Sequence, residues 1–125
     1  MIEVKEYDIP IYRGIFVVII TNNVDELREY IPEFDGELYA HSWLHAYNDK
    51  QGFLCVLNFE ARRAVTHGTI AHEATHIAHM ILEQRGVLPD FINDEPVAYL
   101  VELLTDTIYK ACKKYKIVRN GKRIN

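Results

Sequence analysis

THGTIAHEATHIAHMILEQRG, residues 66–86, is written in helical period. At about 100° per residue, Ile70, Ala74, Ile77, Ala78 and Ile81 fall on one side of a helix, and Thr69, His72, His76, His79 and Glu83 fall on the other. Thr66 has the side chain of an N-cap, and Gly86 suits the left-handed position that stops a helix. The stretch therefore predicts a helix from His67 to about Arg85, with one face for packing and one for chemistry.

Working outward, a second helix is predicted from Glu95 to about Tyr115. It opens at Asp94-Glu95-Pro96, where proline is tolerated in the first turn. Val97, Leu100, Val101, Leu104, Ile108, Ala111 and Cys112 make its apolar side, and Glu95, Tyr99, Glu102 and Asp106 make a polar stripe. Upstream, Ile9 to Tyr12 and Ile15 to Thr21 are β-branched and aromatic runs split by Arg13-Gly14, which reads as a kinked strand or a tight hairpin. Val24 to Tyr30 has helical composition, with Asn23 as its N-cap and Pro32 past its end. Ser42 to Tyr47 and Phe53 to Phe59 flank the turn-rich Asn48-Asp49-Lys50-Gln51-Gly52 and read as a second strand pair. The expectation is one α+β domain over residues 1–125: a small, mostly antiparallel sheet packed on the two long helices.

Composition agrees with an ordinary globular chain. Of the 125 residues, 49% are hydrophobic, enough for a single core, and the formal net charge is −4. The longest apolar stretch, Ile15 to Ile20, is too short to span a bilayer, and the N-terminus lacks a signal peptide's basic and apolar regions. A cytoplasmic protein without membrane association is expected. Cys55 and Cys112 form no C-x-x-C pair and no dense framework, so buried free thiols are expected. Six basic residues crowd residues 113–123, and without them the net charge is −10. With only Tyr115 for stacking and no reading motif, this tail is expected to be solvated rather than bound to nucleic acid.

The chemistry lies in His72-Glu73-Ala74-Thr75-His76. This is H-E-x-x-H inside a helix, which sets two imidazoles one turn apart on one face, the geometry that suits one Zn2+. A catalytic zinc keeps a position open for water, so a third protein ligand is required from elsewhere. His79 shares the face, but seven residues of straight helix put its Cα ~10 Å from that of His72, too far for one ion to hold all three. Glu95 is the expected third ligand, on a helix that can turn back across the first; Asp94 is the rival, expected to spend its oxygen on capping. A carboxylate at a helix N-terminus is also favoured by the helix dipole alone.

H-E-x-x-H followed by a helix beginning Asn93-Asp94-Glu95-Pro96-Val97-Ala98-Tyr99 resembles the gluzincin zinc metallopeptidases, above all their minimal single-domain members, and small phage-encoded metallopeptidases are similar too. The resemblance covers about a third of the chain, chiefly residues 68–106. It implies metal ligation by His72, His76 and Glu95, with Glu73 as general base, and hydrolysis of a peptide or protein substrate laid along an edge strand, for which Phe53 to Phe59 is the candidate. Larger gluzincins carry an aspartate four residues after the third ligand, where this chain has Tyr99; Glu102 or Asp106 could orient a ligating imidazole instead. His41, His45, His67, Tyr47 and Tyr99 are candidate oxyanion stabilisers. The competing reading is a non-catalytic interaction protein, stapled by zinc and binding through an edge strand.

Overall fold

In a computed structural model of the chain, the described residues are 2–21, 24–32, 44–49, 52–58, 66–113, 118–119 and 122–123. Strands β1 (Ile2–Asp8) and β2 (Ile15–Thr21) precede helix α1 (Val24–Tyr30), strands β3 (Leu44–Asp49) and β4 (Gly52–Asn58), helices α2 (His67–Gln84) and α3 (Glu95–Cys112), and the short strands β5 (Val118–Arg119) and β6 (Lys122–Arg123). The first four strands form one sheet in the order β1-β2-β4-β3, and β5 pairs with β6 separately. The β1/β2 and β3/β4 ladders are antiparallel, and β2/β4 is parallel. The architecture is α+β, and the sheet is mixed with antiparallel pairs in the majority.

The central strands are the most apolar because both of their faces are covered. From β2 and β4, Phe16, Val18, Ile20, Phe53 and Cys55 pack with Ile70, Ala74, Ile77 and Ile81 of α2 and with Leu100, Leu104 and Ile108 of α3. On the opposite face Val17, Ile19, Leu54 and Val56 pack with Leu27 and Ile31. Burial on both sides turns a strand's alternating pattern into a continuous apolar run, as Phe16 to Ile20 displays.

Several expectations are corrected. The first hairpin starts earlier than its apolar runs suggest: β1 is Ile2–Asp8, and Ile9 to Gly14 form the turn, with the Ile9 N–H donating to the Gly14 carbonyl at 3.0 Å. Ile11 and Arg13 take positive φ there, of 67° and 64°, and Gly14 takes 99°. Arg85, at the end of α2, donates to the carbonyls of Tyr12 and Arg13 at 2.6 and 2.8 Å, which ties this turn to the helix. Asn48 and Asp49, expected in a turn, continue β3 and pair with Phe53 and Gly52. Most consequential is β4: Phe53 to Asn58 lies between β2 and β3 and is no edge, and β3 is the edge strand instead. Helix α3 ends at Cys112, and Tyr115, Asn23 and His41 lie outside the described residues.

Candidate metal centre

Helix α2 owes its register to its ends. Thr66 and Thr69 form a reciprocal capping box: Thr66 Oγ1 accepts from the Thr69 N–H at 3.1 Å, and Thr69 Oγ1 accepts from the Thr66 N–H at 2.8 Å. At the other end Gly86 takes φ +72°, and the Val87 N–H donates to the Leu82 carbonyl at 2.9 Å. Between these stops the expected faces are realised. Ile70, Ala74, Ile77, Ala78 and Ile81 are fully buried, and His72, His76, His79 and Glu83 are exposed. The helix packs across β3 and β4 and against α3, so its histidine face emerges beside the edge of the sheet.

On that face the His72 and His76 Nε2 atoms lie 3.1 Å apart, their rings at 78° to one another with centroids 4.8 Å apart. Two nitrogens that share a tetrahedral zinc at bonds of ~2.0–2.1 Å stand roughly 3.3 Å apart, so the pair fits a common ion. Two neutral imidazoles, one donating and one accepting, also meet at this distance. Glu73 turns to the flank: its side chain is only 15% exposed, and its Oε1 lies 4.0 Å from His72 Nε2. The buried Cys55 thiol on β4 is pushed well above its ordinary pKa, mainly by desolvation and further by Cys112 and by Glu73.

The expected third ligand, Glu95, opens α3. Among the described residues, no three His, Cys, Asp or Glu side chains converge to hold a metal. His67 stacks on Tyr109, with centroids 5.3 Å apart and planes at 29°, which fixes how α2 and α3 run antiparallel. Stepping equally along both helices brings Glu95 level with about Ile81, five residues or roughly 7 Å of rise beyond His76. Glu102 comes level with Ala74, between the two histidines. The polar stripe of Glu95, Tyr99, Glu102 and Asp106 is present and exposed. Asp94 occupies the N-cap position of α3, but its side chain makes no capping hydrogen bond, contrary to the expectation that capping would engage it.

The oxyanion candidates divide. His67 is committed to its stack on Tyr109, and Tyr99 is 38% exposed on α3. His45 and Tyr47 lie on the edge strand β3, paired in register with Val56 and Leu54. His79 lines a cleft of about 540 Å³ between the C-terminal end of α2, the loop that follows it and the start of α3. The sequence signal for this cleft is the apolar cluster in Val87 to Ile92. No helix among the described residues is long and apolar enough to cross a membrane. In comparisons with known proteins, the chain matches no family model, no curated protein and no solved structure.

Proposed function

We propose that the chain is a zinc-dependent peptidase of the gluzincin kind. The observation that carries this reading is the pair of imidazoles on α2, with Nε2 atoms 3.1 Å apart on a solvent-open face and Glu73 one residue from His72. His72 and His76 would hold Zn2+, and Glu95 is the proposed third ligand, brought in by adjustment of the first turn of α3. Bound zinc supplies a Lewis acid for the scissile carbonyl and acidifies a water near neutral pH. Glu73 takes the proton from the attacking water on its carboxylate and returns it to the leaving amine nitrogen. The extended substrate is proposed to pair with β3, which has a neighbour on one side only among the described residues.

The same edge, unpaired on its outer side among the described residues, favours the second reading: a non-catalytic protein in which zinc staples the fold and β3 recruits a partner. One pair of variants separates them. Glu73→Gln is expected to retain zinc and fold while cleavage of an unbiased peptide mixture, followed by mass spectrometry, falls by at least about 10²-fold, because an amide cannot accept the proton. His72→Ala is expected to lose metal and cleavage together. If wild type and Glu73→Gln cleave alike, or neither cleaves with zinc bound, the interaction reading replaces the enzyme.

A further inference from the structure

The loop between α2 and α3 carries a large apolar surface that the described residues leave uncovered. Leu88, Phe91 and Ile92 are 83%, 100% and 97% exposed. Scattered surface leucines are ordinary, but three large side chains left in water within five residues, beside a formed cleft, are the mark of a binding surface. The backbone that presents them is fixed, since Asp90 Oδ1 accepts from the N–H groups of Ile92 and Asn93 at 2.8 and 3.2 Å. The cleft of about 540 Å³ is of a size that takes several side chains, and Val87, Leu88, Phe91 and Val97 give it apolar walls.

Its rim is acidic. Glu83, Asp90 and Asp94 border the cleft, and His79 lies at its head, one turn beyond His76 on the same stripe. Arg85, next to the cleft in the chain, directs its guanidinium to the carbonyls of Tyr12 and Arg13. An apolar floor ringed by carboxylates selects a partner with the opposite arrangement: large apolar side chains flanked by lysine or arginine.

We propose that this cleft is a docking site for a basic amphipathic peptide segment of a partner or substrate protein, anchored by apolar residues against Leu88 and Phe91 and steered by the acidic rim. The site is independent of metal and of Glu73, so it holds whether the histidine pair is catalytic or structural.

The test is fluorescence anisotropy with the full chain, in EDTA and as the Glu73→Gln protein, so that cleavage does not enter the readout. The probes are labelled twelve-residue peptides with two leucines and a phenylalanine flanked by lysines, the same peptide flanked by glutamates, and the lysine peptide with serines in place of its apolar residues. The lysine-flanked peptide is expected to bind at least roughly tenfold tighter than either control, with an affinity that falls as salt rises. Phe91→Ser and Leu88→Ser, both at exposed positions and so expected to leave the circular dichroism unchanged, should each weaken it by roughly tenfold. Glu83→Gln with Asp94→Asn should narrow the gap between lysine and glutamate peptides. Equal binding of the two flanked peptides, or binding indifferent to Phe91→Ser and Leu88→Ser, overturns the proposal. So does light scattering that finds a wild-type dimer dissolved by Phe91→Ser, since a second copy is then the occupant. Loss of peptide cleavage in the Glu73→Gln test has no bearing on this result, so the two proposals fail separately.

Discussion

Cys55 and Cys112 are each a single thiol in a dry place, and their chemistry follows from that. Both are free and buried in the core between the sheet and the long helices. Burial pushes the Cys112 thiol from its ordinary 9.0 up to about 12, against a smaller lowering by Lys5. Its folded pKa is raised, so the unfolded chain releases this proton near pH 9 while the native chain keeps it until about pH 12. The stability contributed is therefore complete below pH 9 and lost as pH climbs from 9 to 12. Urea unfolding at stepped alkaline pH should show a steeper decline for wild type than for Cys112→Ala, and a thiol reagent at neutral pH should label neither cysteine until the chain is denatured. Labelling of native protein at the rate of a free thiol would contradict the burial. Glu73 works at the same scale but in the opposite environment, since its partial exposure leaves it a path to solvent that neither thiol has.

The elements are held by a few positions with defined local duties. Thr66 satisfies an otherwise orphaned amide of α2, and Thr66→Ala is expected to lower stability by about 1 kcal/mol in chemical denaturation, with the slope unchanged. Gly52 opens β4 at φ +141°, and a Cβ there would lie 2.5 Å from the Ile15 carbonyl oxygen, which is backbone of the neighbouring β2 and cannot swing away. Gly52→Ala should therefore destabilise far more than Gly86→Ala, whose φ of +72° is strained but whose surroundings are open. The second change should cost about 1–2 kcal/mol, the left-handed penalty alone. Equal effects of the two substitutions would show that the backbone contact at Gly52 relaxes. The same elements explain a misreading: Ile9 to Tyr12 is as β-branched as a strand, yet it turns, because Ile11 and Arg13 adopt positive φ and Arg85 secures the carbonyls of Tyr12 and Arg13.

At the scale of the whole molecule, α2 is pinned between the β3–β4 hairpin and α3, so a metal held on its outer face is linked to the stability of the entire packed unit. Zinc in excess at 100 times its Kd is expected to add about 2.7 kcal/mol to unfolding. Calorimetry should then record a melting temperature several degrees higher with zinc than with EDTA, and no such rise in His76→Ala. Identical melting of wild type with and without zinc would remove the metal from the proposal. The sequence by itself determined the parts that depend on local periodicity and capping: α1, α2 and α3, the buried and exposed faces of the long helices, the helix-borne His72, Glu73 and His76, and the two buried thiols. These are legible because 3.6-residue spacing, a capping threonine and a stopping glycine act within a few residues of each other. The tertiary structure alone decided that β4 is central and β3 the edge, because apolar runs look alike in either position and the parallel β2/β4 pairing joins segments more than thirty residues apart in the chain. It also decided how far α3 slides along α2. That offset is set by side-chain packing between helices far apart in the chain, with the stacking of His67 on Tyr109 as one fixed point.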